Sequence, residues 1–86
     1  MYELAFTKSA KDFYEDADAP LQRKLDRCYA QLRVEPRQHP NIRPLKGRFA
    51  GHLRYRVGDY RVVYHVIEAS RKVVVVLIDH RSRAYD

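Results

Sequence analysis

Apolar and polar residues change their period near the middle of this 86-residue chain. Tyr2 to Phe6 (YELAF) alternates as a short strand does. Thr7 or Ser9 can cap the helix that follows, from Lys8 to about Asp16, with Ala10, Phe13, Tyr14 and Ala17 toward the core. Asp18 with Pro20 restarts a helix, because proline fits only the first turn, where its missing N–H has no partner to lose. Leu21, Leu25, Cys28 and Leu32 then recur at spacings of four, three and four, an amphipathic stripe. The opposite face carries Arg23, Lys24, Arg27 and Gln31 and reads as a solvated surface.

Glu35 to Pro44 (EPRQHPNIRP) reads as a loop, since three prolines there fix φ and remove donors. Beyond it the period is two. His52 to Val57 alternates strictly, Gly58-Asp59 suits a two-residue type II′ turn, and Tyr60 to Ile67 is the return strand. Residues 68–72 make the next turn. Val73 to Ile78 is apolar on both faces, as a covered central strand is. HRSRAYD ends the chain as a basic tail. The expected fold class is α+β: a short N-terminal strand, a two-helix hairpin, then an antiparallel three-stranded meander with the helices packed on one face. No linker or repeat divides residues 1–86, so one domain is expected.

The turn fixes a register. Arg56 faces Arg61, Arg54 faces Val63, and His52 faces His65. One face then collects Leu53, Tyr55, Val57, Tyr60, Val62, Tyr64 and Val66 as core. The other collects His52, Arg54, Arg56, Arg61, Val63 and His65. Two arginines opposed on a hairpin repel by up to roughly 1 kcal/mol, so stability alone does not select the pair. A bound anion turns that repulsion into shared binding. The alternatives are that the two splay apart, or that a carboxylate such as Asp79 pairs with one of them.

Charge sharpens this picture. The formal net charge is +6, and all of it lies in residues 41–86, because residues 1–40 carry seven basic and seven acidic side chains. Twelve of the 17 basic residues are arginine, whose planar guanidinium makes bidentate phosphate contacts. A polyanionic partner fits, as does a merely solvated basic surface. The single cysteine, Cys28, cannot form an internal disulfide and falls in the apolar helical stripe, where packing suits it better than nucleophilic work. No signal-peptide pattern opens the chain and no apolar run approaches a membrane span, so a reducing cytoplasm and no membrane are expected.

Other chemistries find little footing. Gly47 and Gly51 are isolated and form no phosphate loop, and there is no CxxC or helical His pair for a metal. His52 and His65 can approach one another, but the pattern forces no carboxylate near them, so neither metal nor cofactor is expected. An arginine face can act on RNA, which carries its own nucleophile in the 2′-OH. Cleavage then needs a proton acceptor, cations on the phosphorus-centred charge, and an acid for the leaving oxygen. His80 and Tyr85 are candidates for proton transfer, with His52 and His65 behind them.

LRYRVGDYRVVYHVIE, followed by VVVVLIDHRSRAY and preceded by PLKG (Pro44 to Gly47), resembles the signature of RelE-type toxins of type II toxin–antitoxin pairs, the RelE/ParE superfamily. The resemblance covers nearly the whole chain. It implies a ribosome-dependent, metal-independent endoribonuclease that cleaves mRNA in the ribosomal A site and is neutralised by a cognate antitoxin. It implies that Arg54 and Arg56 contact RNA, that Arg61 stabilises the scissile phosphate, and that Arg81 assists. His80 and Tyr85 fall where the family transfers protons or stacks on a base. Lys46, Arg48 and Arg83 complete the expected RNA-binding set. Two other functions share these features: a ParE-like poison of DNA gyrase, and a non-catalytic RNA- or protein-binding module.

Overall fold

The computed structural model describes residues 1–80, and its strand β1 (Glu3–Phe6) passes into helix α1 (Lys8–Asp16) at Thr7. The Thr7 hydroxyl caps α1 by accepting from the Ala10 amide at 3.2 Å. Asp18 caps α2 (Ala19–Val34) in the same way, its carboxylate accepting from the Leu21 amide at 3.0 Å, with Pro20 in the first turn. Both helices therefore begin where their cap residues stand in the sequence.

Four more strands follow: β2 (Ile42–Pro44), β3 (Leu53–Val57), β4 (Tyr60–Ile67) and β5 (Lys72–His80). They form one five-stranded sheet in the order β1-β5-β4-β3-β2. The expected meander is its centre, β3-β4-β5, all antiparallel. The β3–β4 register agrees with the expected one at every pair, from Leu53 opposite Tyr64 to Val57 opposite Tyr60. Gly58 turns the hairpin with φ 58° while Asp59 is not left-handed, the pattern of a type II′ turn.

Two strands enlarge that meander. β1 pairs parallel with β5, Glu3 opposite Lys72 through Phe6 opposite Val75. The loop expected over residues 35–44 ends early, because Ile42–Pro44 pairs with β3 as an edge strand. Its outer side has no neighbour, so Pro44 forfeits no ladder bond there. Ile42 is buried and Arg43 exposed, the alternation of a half-covered strand.

The core lies between the sheet and the helices. Leu25, Cys28, Tyr29 and Leu32 of α2 and Ala10 of α1 pack on Tyr55, Val57, Val62, Tyr64, Val73, Val75 and Ile78. Cys28 sits at 0% exposure, and burial pushes its thiol well above the ordinary cysteine range, as an inert core residue requires. Leu53 is half-buried rather than fully covered. Tyr64 is the largest fully buried side chain, and its hydroxyl donates to the Pro36 carbonyl at 2.6 Å.

One irregularity decides which side chains meet. Val63 stands opposite Leu77 but Tyr64 stands opposite Val75, so Val76 is a bulge. The Thr7 hydroxyl donates to the Val76 carbonyl, and the Thr7 amide donates to the Val75 carbonyl at 3.1 Å. Val73 and Val75 face the helices. Strict alternation would carry Asp79 to the helix side and His80 to the open side. The extra residue inverts that, so Ile78 and His80 face the helix side and Asp79 the open side.

Candidate nucleic-acid interface

The face of the sheet away from the helices is ruled in cross-strand rows. Arg43, Arg54, Val63 and Leu77 form one row across β2, β3, β4 and β5. Arg56, Arg61 and Asp79 form the next. Side chains two residues apart on a strand repeat at about 7 Å, so the rows run about that far apart. Like charges thus stand opposed twice, Arg43 to Arg54 and Arg56 to Arg61. Each pairing is worth up to roughly 1 kcal/mol of destabilisation.

The crowding is legible at Arg54. Burial first, and then the positive charges of Arg43, Arg56 and Arg61, pull its guanidinium below the ordinary arginine range. Its Nη1 donates to the Asn41 carbonyl at 2.6 Å, and the Arg56 amide donates to the same carbonyl at 2.9 Å. The Asn41 side chain returns a bond to the Arg56 carbonyl at 3.1 Å. Asn41 therefore fixes the β2 edge to β3 and aims Arg54 along it. Arg56 is exposed, with a long 3.5 Å contact from its Nε to the Gly58 carbonyl.

Arg61 departs from expectation in its exposure. It occupies the open face as the register requires, but keeps only 5% of its surface in contact with solvent. It lies in the middle of the sheet, between Arg56 on β3 and Asp79 on β5, next to Val63 at 0% exposure. A central strand position surrounded by long side chains buries a guanidinium that an edge position leaves free.

His80 also departs from expectation. As a proton-transfer group it would have to face Arg61, but the bulge turns it to the other side of the sheet. There it stands opposite Tyr60 with ring centroids 5.2 Å apart, and Tyr60 in turn packs on Phe13 of α1 at 5.4 Å. The carboxylate on the Arg61 side is Asp79.

At the other end of the open face, His52 lies flat on His65, with centroids 5.1 Å apart and planes within 5°. Burial and then His52 hold His65 below the ordinary histidine range, so it is neutral near pH 7. Stacked rings keep their nitrogen lone pairs in two separate parallel planes, so the pair does not converge on one ion. Among the described residues no group of three or more metal-ligating side chains exists. Lys46 and Arg48 are exposed on the connection between β2 and β3. The Arg48 guanidinium lies 5.5 Å over the Phe49 ring, an exposed cation–π contact worth about 0.5–1 kcal/mol.

A family model described as ParE toxin of type II toxin-antitoxin system, parDE, matches residues 4–85. The chain belongs to that family. Toxin RelG of Mycobacterium tuberculosis is 28% identical over 85 residues, spanning 98% of this chain and 95% of the relative. The fold matches the archaeal RelE–RelB complex from Pyrococcus horikoshii with a TM-score of 0.82 at 24% identity, over 96% of this chain and 98% of that one. It matches the toxin–antitoxin complex RelBE2 of Mycobacterium tuberculosis with a TM-score of 0.77 at 26% identity, over 93% and 98%. The toxin is thus a member of the RelE/ParE superfamily, as its sequence signature implies.

Of the expected site residues, the toxin brings Arg54, Arg56 and Arg61 onto one face and sets His80 apart from them. Arg81, Arg83 and Tyr85 lie outside the described residues. Arg43 is a basic residue of this face that the sequence reading left in a loop. Its signal was the Ile42-Arg43-Pro44 alternation, hidden by three neighbouring prolines. Lys24 and Arg27, read as solvated, line with Asn41, Tyr55 and Arg56 a cleft of about 280 Å³ at the β3 end of the sheet. Positive charge therefore continues from the open face round to α2.

A second concavity lies on the helix side. Phe6, Ala10, Lys11, Tyr14, Glu15, Asp26 and Tyr29 line a mainly apolar groove of about 430 Å³. The Tyr29 hydroxyl is buried there with no hydrogen-bond partner among the described residues. Among the same residues no helix is long and apolar enough to cross a membrane.

Proposed function

We propose that this toxin is an endoribonuclease that cleaves mRNA in the ribosomal A site, acts in the cytoplasm, and is neutralised by a cognate antitoxin. The observation that carries the reading is the doubled row of opposed arginines, Arg43–Arg54 and Arg56–Arg61. Each opposed pair costs the fold its mutual repulsion, even with Asn41 beside Arg54 and Asp79 opposite Arg61, whereas a phosphodiester backbone laid across both pairs relieves it. Arg43, Arg54 and Arg56 position the backbone. Arg61, buried in the middle of the sheet, is the cation assigned to the charge that grows on the scissile phosphate. A guanidinium with little water around it is screened less and needs no reorganisation when the charge appears.

The RNA supplies its 2′-OH as nucleophile, and no metal is invoked. Because His80 faces away from Arg61, proton transfer on the open side falls to Asp79 or to Tyr85 of the C-terminal segment. The family resemblance gives Tyr85 and Arg81 their roles. With few acid–base groups on this face, alignment by the ribosome supplies part of the catalysis. The antitoxin is supported by the relatives, one of which is described as a toxin–antitoxin complex and another as a RelE–RelB complex.

A second reading, a poison of DNA gyrase, is favoured by the ParE description of the matching family model. Tightly controlled expression followed by primer-extension mapping of mRNA 5′ ends separates the two. Cuts phased with codons support the ribonuclease. Intact mRNA with broken chromosomal DNA establishes the gyrase poison instead.

A further inference from the structure

We propose that Phe49, capped by Arg48 and backed by the stacked imidazoles of His52 and His65, is a platform on which one unpaired base of the RNA stacks. The proposal rests on the ribonuclease reading above and adds to it the group that grips a base, where the arginines grip phosphates.

Phe49 is a large aromatic that the core does not use. It belongs neither to the buried cluster nor to the apolar side chains packed against that cluster. A single 3-10 turn, Gly47–Phe49, carries it out on the connection between β2 and β3. Its ring is nonetheless held, meeting His52 edge-on with centroids 5.9 Å apart at 75°. His52 lies flat on His65 in turn. These two imidazoles occupy the open face one row beyond Arg54 and Val63, at the strand repeat of about 7 Å. Phe49 is thus joined to the end of the cation rows through His52, the imidazole it meets.

Its chemistry suits a base. Unpaired bases stack on aromatic rings and on the planar guanidinium of arginine, and bases inside a duplex hide the faces that such stacking needs. Arg48 is exposed and already lies over the Phe49 ring. A base entering between the two exchanges a solvated cation–π contact for two stacked faces. Burial and His52 hold His65 below the ordinary histidine range, which favours the neutral, aromatic form of that ring. Phosphate contacts orient the strand without reading it, whereas a ring against one base sets which nucleotide is held in place.

The test is single-turnover cleavage, at subsaturating toxin, of mRNA on programmed ribosomes whose A-site codon is intact or carries one abasic nucleotide at each position in turn. Phe49→Leu keeps the apolar bulk and removes the π face. It should slow cleavage of the intact codon roughly five- to hundredfold, the span of one lost base–aromatic stack. In the wild-type toxin an abasic nucleotide at one position should cause a similar loss, and Phe49→Leu should lose nothing further there. Phe49→Trp should cleave at least as fast as wild type and keep the abasic sensitivity. The platform is overturned if Phe49→Leu matches wild type, or if its loss multiplies with the abasic loss at every position. Should Phe49→Leu melt early, Phe49→Trp decides, and insensitivity of that variant to every abasic position overturns the platform. A wild-type toxin that cuts no mRNA on ribosomes removes the ribonuclease reading itself.

Discussion

The two faces of the sheet obey opposite rules. On the helix side most neighbours reduce free energy: Tyr64, Val62 and Val75 are fully buried in the core shared with the helices, and the Tyr64 hydroxyl finds the Pro36 carbonyl. On the open side the same strands set arginine against arginine and bury Arg61 among them. One β-hairpin therefore carries a face optimised for folding and a face that opposes it. The difference teaches where to look for function in a small domain, whose total stability is only about 5–15 kcal/mol. Like charges set opposite one another at a cost to the fold point to the site.

That contrast can be broken or sharpened by substitution. The largest effect belongs to the helix side. Tyr64→Ala should cost about 3–5 kcal/mol, enough to leave much of the protein unfolded, as urea titration would reveal. Tyr64→Phe should cost about 1–3 kcal/mol by leaving the Pro36 carbonyl unpaired, with the cleavage rate of the folded fraction unchanged. A loss of rate in folded Tyr64→Phe would mean that the two faces are coupled.

Arg61→Ala should lower single-turnover cleavage about a hundredfold or more while the protein still folds and binds its antitoxin. Full growth arrest in that variant, at matched expression, contradicts the phosphate role. Arg56→Gln should move stability and activity in opposite directions. Relief of the Arg61 repulsion should add up to about 1 kcal/mol in denaturant titration. RNA affinity should fall, and the slope of log affinity against log salt should shrink by about 0.7, one phosphate contact on a single strand. A variant that is both less stable and equally active would reverse the comparison.

The smallest effect lies at the rim. Glu68 accepts from Arg37 Nε at 2.8 Å and from the Tyr2 hydroxyl at 2.9 Å, and these bonds hold its carboxyl below the usual range. A folded value lowered in this way contributes stability above the unfolded value of about 4.3, and the contribution is lost as pH falls through the folded one. Acid titration followed by circular dichroism should therefore show a slightly steeper loss below about pH 4 in wild type than in Glu68→Gln. The pair is exposed, so the difference is small. Identical acid limbs would show that the bridge contributes nothing.

Much of this was legible in the chain, and the reasons are local. The hairpin register followed from Gly58-Asp59 and strict alternation on both flanks, which is why Arg56 opposite Arg61 could be read before any coordinates. Thr7 and Asp18 announced their helices through their own side chains. What stayed hidden depends on partners distant in sequence or on one inserted residue. The pairing of β1 with β5 joins residues some seventy apart, which no window of sequence displays. The bulge at Val76 lies in a run of valines whose two faces look alike, so nothing marked the point where His80 and Asp79 exchange sides. Arg43 was lost because Pro40 and Pro44 mask a three-residue edge strand.

The interior place of β5 has a consequence for synthesis. β5 lies between β1 and β4, so the first strand made must wait for the last before it has a neighbour. Residues 1–71 hold both helices and most of the sheet but lack the strand that joins its halves. Until β5 is available, then, the arginine face has no completed scaffold, because Arg61 lacks its β5 neighbour. Nascent chains stalled with only residues 1–71 outside the tunnel should show no protease-resistant core, and release of residue 80 should produce one in a single step. A resistant core at residue 71 would show that the rest of the sheet assembles without β5.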